Sequence, residues 1–157
     1  MEVSFQKKKN GCTVMTIIRS DGTTTWSALR RGMEIHDLAH LAVESTLYCK
    51  DAFFAMVDRG VDISDFEGKR TQPHISVEAK QVEHLVLLLQ LEHQQRQYQN
   101  DFMDQYQGIL KDHDLPKLEE LNDRALKEIR LYLDSLVKNV STLKTDEVYH
   151  VEFSLNE

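Results

Sequence analysis

The chain is organised around one stretch, His36-Asp37-Leu38-Ala39-His40-Leu41-Ala42-Val43-Glu44, which combines helix-forming residues with four groups that bind metals or protons. Neither Gly nor Pro occurs between residues 35 and 47, so the stretch predicts a helix. At about 100° per residue, the four polar groups share one sector of this helix, and the leucine and alanine side chains lie opposite. We therefore expect the apolar side to face the core and the polar sector to form the floor of a cleft or a boundary between helices.

The spacing of His36 and His40 is that by which a helix presents two imidazoles to one zinc ion. In the familiar metalloprotease pattern a Glu directly follows the first His, whereas Asp37, one methylene shorter, occupies that position here. Glu44 is roughly 12 Å along the helix from His36, too far to bind the same ion. It can instead accept a hydrogen bond from His40 and fix the tautomer of that ring.

A third ligand must come from elsewhere in the chain. We prefer His74, because the preceding Pro73 makes its approach stiff. The predicted site therefore has His36, His40 and His74 as ligands of zinc or another divalent metal, with Asp37 as a base or as a hydrogen-bond acceptor behind a ligand, and Glu44 as an orienting residue. The remaining candidates for a third ligand are His84, His93, His113 and His150.

Two other hypotheses remain open. The first is a non-enzymatic interaction protein, in which the polar groups on this helix form a buried structural network and a later Gln-rich helix makes the contacts. The second is metal-free acid–base chemistry by Asp37 and His40. If the protein is a metalloenzyme, hydrolysis by metal-bound water is the class to test. The sequence names no substrate.

Composition sets outer limits on the function. A chain of 157 residues with 41% hydrophobic and 29% charged residues fits one domain, residues 1–157. A net charge of −7 argues against binding to nucleic acid or anionic membranes. The N-terminus lacks a signal-like region, and the most apolar run, Leu85–Leu91, is too short to span a bilayer. Two distant cysteines, Cys12 and Cys49, are typical of a reducing cytoplasm.

Residues 2–29 predict a three-stranded meander, because Asn10-Gly11 and Asp21-Gly22 are both hairpin signals. Two-residue type I′ turns would pair Phe5 with Thr16 and Ile17 with Trp26. That register puts Trp26 on the same face as Ile17 and Met15. Residues 146–157 alternate in hydrophobicity and predict a strand that joins an edge of the meander.

The remaining segments predict helices. Asp51 is expected to cap a short helix over 52–59, and Gly60 to end it. Residues 60–76 lack periodicity and predict a loop, after which Ser76 caps a long helix over 77–110 and a further helix runs from Pro116 to Val140. We expect an α+β fold in which the sheet packs against a long α-hairpin and the His-bearing helix. The long helices or the second sheet face offer surfaces for a homodimer.

Two further features of the sequence bear on function. Arg30 and Arg31, just before the His-bearing helix, either steer an anionic ligand or act as solvated connectors. Three segments, 19–26, 36–44 and 51–57, resemble small bacterial proteins that share a Trp…His-Asp-Leu-x-His-x-x-Val-Glu signature. That group has no assigned activity, so the resemblance implies no catalytic residues.

Overall fold

The computed structural model describes residues 1–29, 34–67 and 73–154. It confirms the α+β class: one antiparallel sheet in the order β3-β2-β1-β4, with helices on one face. The strands are β1 (Glu2–Lys7), β2 (Thr13–Ile18), β3 (Thr24–Leu29) and β4 (Val148–Glu152). The helices are α1 (Glu34–Leu47), α2 (Phe53–Asp58), α3 (Ile63–Glu67), α4 (Val77–Gln95), α5 (Phe102–Asp112) and α6 (Asp123–Ser141). None of the helices in these ranges has the length and hydropathy to cross a membrane.

Both hairpins have three-residue loops, so the predicted two-residue turns are wrong. The amide of Lys8 donates to the carbonyl of Cys12, and Gly11, the last loop residue, has φ +79°. The second hairpin closes in the same way, with Gly22 at φ +84°. Only the final loop residue needs a positive φ in this turn, which is a type I turn followed by a bulge.

The extra loop residue shifts the register by one and exchanges the faces of the sheet. Phe5 pairs with Met15, and Ile17 pairs with Thr25. The predicted neighbour of Ile17, Trp26, is instead 66% exposed on the outer face. The inner face contributes to the core four residues that are completely buried, Val3, Phe5, Met15 and Ile17.

The predicted C-terminal strand joins an edge of the meander, since β4 pairs antiparallel with β1. Val151 lies opposite Val3, and the ring centroid of Phe153 lies 5.2 Å from that of Phe54 at the start of α2. The two ends of the chain therefore share one sheet and one core.

α1 is the central helix and packs against both α4 and α6. Its leucines and alanines face the core, as the sequence predicted, and Leu41 and Ala42 are completely buried. His40 and Glu44 are also buried, so the polar sector of α1 lies between elements.

The long helix predicted over 77–110 is two helices. Ser76 caps α4 as expected, but Arg96 adopts a left-handed conformation with φ +53° and ends it. The carboxylate of Glu92, which is only 2% exposed, accepts the amide of Gln99 at 2.7 Å and the Nε–H of Arg130 at 2.9 Å. This network lies at the turn between α4 and α5. The apolar stripe of α5 then packs into the core, where Phe102, Tyr106 and Leu110 are buried.

Other boundaries also differ from prediction. α2 begins after Ala52, because the carboxylate of Asp51 binds Arg59 and caps no helix. Gly60 ends α2 with φ +103°, as predicted. The expected loop over 60–76 contains α3, and α6 begins at Asp123 behind an Asn122 cap rather than near Pro116. The predictions for Arg30 and Arg31, and for residues 155–157 at the end of the predicted C-terminal strand, fall outside the described residues.

Candidate metal centre

Two histidines and a buried carboxylate lie on successive turns of α1. The ring centroids of His36 and His40 are 4.9 Å apart in an edge-to-face arrangement. Glu44 is completely buried and lies 3.0 Å from Nδ1 of His40. Its other oxygen accepts the backbone amide of Phe54 at 2.8 Å, which connects α1 to the start of α2. The predicted contact between His40 and Glu44 is therefore present.

A third group comes from α4. Oε2 of Glu83 lies 3.2 Å from Nε2 of His40, and Oε1 lies 3.8 Å from Nε2 of His36. One potential ligand atom from each of the three side chains lies within 4.8 Å of the others. Ligands of a tetrahedral zinc ion, bound at about 2.0–2.2 Å, are roughly 3.4 Å apart. The three groups are thus arranged so that they could hold a metal ion after small side-chain adjustments.

His40 is a cation in this arrangement. Its burial disfavours the charged ring, but Glu44 and Glu83 together outweigh that effect and raise its pKa to about 9. As an imidazolium, it donates from Nδ1 to Glu44 and from Nε2 to Glu83. Loss of the Nε2 proton would leave that nitrogen free for a metal while Nδ1 still donates to Glu44. This is the usual hydrogen-bonding pattern of a histidine ligand.

His36 has the opposite electrostatic balance. Burial and the neighbouring His40 lower its pKa, and Glu83 opposes them only in part, so the ring is neutral near pH 7. Its buried Nδ1 has no hydrogen-bond partner among the described residues. The side-chain amide of Gln90 acts on the ring and raises its pKa slightly, but does not meet the geometry of a hydrogen bond. A neutral imidazole is the form that binds metals.

Glu83 closes the cluster on its solvent side. Its side chain is 45% exposed, whereas that of His40 is 8% exposed. The hydrogen bond from His40 keeps the pKa of Glu83 below its ordinary value, so Glu83 is ionised at neutral pH. The cluster therefore supplies one neutral imidazole, one imidazole that must lose a proton and one carboxylate.

The three residues open into a pocket of about 630 Å³. Asp37, which follows His36 in the chain, is half-buried and also lines this pocket. Asp37 is not part of the three-residue cluster.

The structure does not bring His74 to the cluster: it is exposed and lies outside the pocket lining. The other remote histidines have different neighbours, since His84 stacks on His113 and His150 contacts Glu2. Glu83 was not among the predicted ligands, because only histidines were candidates for the remote ligand. A usable signal existed, since Glu83 borders the apolar stripe of Val82, Leu85, Val86 and Leu89 on the helix that covers α1.

Comparison with known proteins gave no relative. No protein-family model matches the chain, and no curated protein or solved structure shows significant similarity to it. The resemblance inferred from the signature in segments 19–57 therefore stays a prediction, and the function must be argued from the site itself.

Proposed function

We propose that this protein binds one divalent metal ion, with zinc favoured, through His36, His40 and Glu83. The observation that carries the proposal is the convergence of these three side chains, from two helices, on one point at the wall of a pocket. Two imidazoles and one carboxylate are a common ligand set of catalytic zinc. The same set also binds ferrous iron in other proteins, so the choice of metal needs a direct measurement.

The proposed centre supports hydrolysis. Three protein ligands leave one position of a tetrahedral ion for water, and a divalent metal lowers the pKa of bound water. An ion held there would activate a water for addition to a carbonyl carbon, and Asp37 would accept the proton of that water. Asp37 would then pass the proton to the leaving atom as the bond to that atom breaks. Asp37 is assigned this role because it lines the pocket beside His36.

Metal analysis of tag-free protein tests the proposal. After incubation with zinc and removal of excess ions, we expect one zinc per chain in the wild type. His36→Ala, His40→Ala and Glu83→Gln should each lose it, because each removes one of three ligands. His74→Ala is the matched control and should retain the ion, since His74 is exposed and is not part of the cluster. Zinc bound equally by the Glu83 and His74 variants would contradict the assignment.

A structural network is the competing hypothesis, and one observation favours it. As a cation, His40 already satisfies both nitrogens through Glu44 and Glu83 without an ion. A protein with this role alone would bind no zinc in the same experiment. It would also tolerate His36→Ala with little loss of stability, because His36 is not needed for the pairing between His40 and the two carboxylates.

A further inference from the structure

The lining of the pocket is divided by element. All of its charged and imidazole groups lie on α1 and α4 and form what we call its polar side. The rest of the lining, which we call its apolar side, comes from the sheet, α2, α3 and the start of α4, where Ser27 supplies the only polar side chain among the lining residues described. The apolar members of that side are Met15, Ala28, Leu29, Phe53, Met56, Ile63, Phe66, Ile75 and Ala79.

This division selects for an amphipathic ligand. A volume of about 630 Å³ lies in the usual range for small-molecule sites, about 300–1,000 Å³. A highly polar ligand such as a sugar would find few hydrogen-bond partners on the apolar side, and its desolvated hydroxyl groups would weaken binding. A wholly apolar ligand would leave the polar groups of α1 and α4 without solvent. The body of the ligand should therefore be apolar and its head polar.

The charges at the polar side favour an oxygen-bearing head. Lys80 is exposed on α4, one turn before Glu83, and it lines the pocket. An ion bound to the cluster would offset the carboxylates of Asp37 and Glu83, which also line the pocket, and Lys80 adds a positive charge to the lining. A carboxylate or a polarised carbonyl oxygen could then bind the ion.

We propose that the pocket binds a small amphipathic carboxylic acid, or an ester or amide of one, with its carbonyl oxygen at the ion. The hydrocarbon body lies against Phe53, Met56 and Phe66. This inference rests on the metal centre proposed above and specifies the class of molecule that the centre acts on.

Two hydroxamic acids test the inference on the zinc-loaded full-length chain. Octanohydroxamic acid and acetohydroxamic acid share a zinc-binding head and differ only in their hydrocarbon body. We expect calorimetry to show at least tenfold tighter binding of the octanoyl compound, because its methylene groups leave water for the apolar side. Equal affinities would overturn the inference.

A pocket-filling variant locates the body of the ligand. Ala79 lies on α4 in the pocket lining, so Ala79→Phe should remove the preference for the octanoyl compound while acetohydroxamic acid still binds. Val77→Phe is the matched control, because Val77 is on the same helix, half exposed and outside the lining. A preference that survives Ala79→Phe, or disappears in both variants, would contradict the proposed location.

Zinc content measured on the same samples separates the two proposals. If the wild type binds no zinc, the metal centre fails and this inference fails with it. If one zinc is bound through His36, His40 and Glu83 but the two hydroxamic acids bind equally, only the ligand class is wrong.

Discussion

Glu44 connects the proposed metal ligands to the framework of the fold. It is completely buried and accepts hydrogen bonds from the ring of His40 and from the backbone of Phe54. As long as Nδ1 of His40 donates to this carboxylate, Nε2 is the nitrogen available to a metal. Glu44 therefore acts as a positioning residue, because it orients the ring of His40.

We expect Glu44→Gln to weaken zinc binding by about 10–100-fold, the usual effect of removing a carboxylate behind a histidine ligand. The amide of Gln can donate to Nδ1, and the proton of His40 would then reside on Nε2, where it blocks the ion. Competition with a zinc chelator measures the change. Glu128→Gln is the control, because Glu128 is an exposed residue on α6, paired with Arg124. Equal zinc affinity in both variants would contradict the role of Glu44.

The pKa of His40 makes the stability of the metal-free protein depend on pH. Folding raises this pKa from 6.5 to about 9, so the folded protein holds the proton more tightly than the unfolded chain. The resulting stabilisation is fully present below pH 6.5 and is lost as the pH rises through 9. Burial also raises the pKa of Glu44, which has the same sign, whereas the lowered pKa values of His36 and Glu83 act below this window.

We therefore expect the free energy of unfolding to fall between pH 6.5 and 9.5 in the presence of EDTA, by up to about 3 kcal/mol. Urea denaturation at each pH measures this change. In Glu83→Gln, one of the two carboxylates that favour the imidazolium is absent, so the decline should still begin near pH 6.5 but end at a lower pH and be smaller. A profile that rises across this window, or one that is the same in the variant, would show that His40 is not held as a cation.

The individual site residues were predictable to different degrees. His36, His40 and Glu44 lie on one helix, and the helical period alone relates their positions. Glu83 lies 43 residues beyond His40, and its contact depends on how α4 packs against α1. No local sequence pattern determines that packing. For the same reason, the stiffness of the backbone at Pro73 did not predict where His74 lies.

At the scale of elements, the network around Glu92 determines where α4 ends. A carboxylate that is 2% exposed needs its partners, which are the guanidinium of Arg130 and the amide of Gln99. Arg130 also lies over the rings of Tyr98 and Phe102, at 4.7 and 5.1 Å from their centroids. One side chain on α6 thus holds the connection between α4 and α5.

Arg130→Ala should cost about 3–5 kcal/mol of stability, because it leaves a buried carboxylate without its counter-charge. Urea denaturation measures the loss. Arg124→Ala on the same helix is the control and should change stability by less than about 1 kcal/mol, since that ion pair is exposed. Similar losses in the two variants would mean that the pair of Glu92 and Arg130 does not stabilise the bend.

The element-level differences from prediction have local causes. Hydrophobic periodicity continues from α4 into α5, so the pattern alone predicts one helix. The break between the two helices depends on a long-range ion pair between residues 92 and 130. The hairpin signals correctly located both turns. A single Gly satisfies either a two-residue or a three-residue loop, however, and that one-residue choice determines whether Trp26 faces the core or the solvent.

At the scale of the whole molecule, the candidate site depends on the complete fold. Its groups come from α1 and α4, and its pocket is completed by β2, β3, α2 and α3. The α+β class and the pairing of β4 with β1 were predictable because alternation and helical periodicity are strong over those segments. The assembly of the cluster was not, because it requires two helices whose relative placement only the packed core determines.

A site assembled only by folding predicts that zinc stabilises the folded state. At a free zinc concentration of 100 times the Kd, binding to the folded form alone adds about 2.7 kcal/mol to the free energy of unfolding. Urea denaturation with and without zinc should show this increase in the wild type and in His74→Ala. It should be absent in Glu83→Gln, because the two proposed ligands that remain, His36 and His40, both lie on α1. An increase of the same size in Glu83→Gln would mean that α1 binds zinc without α4, and that the ion does not join the two helices.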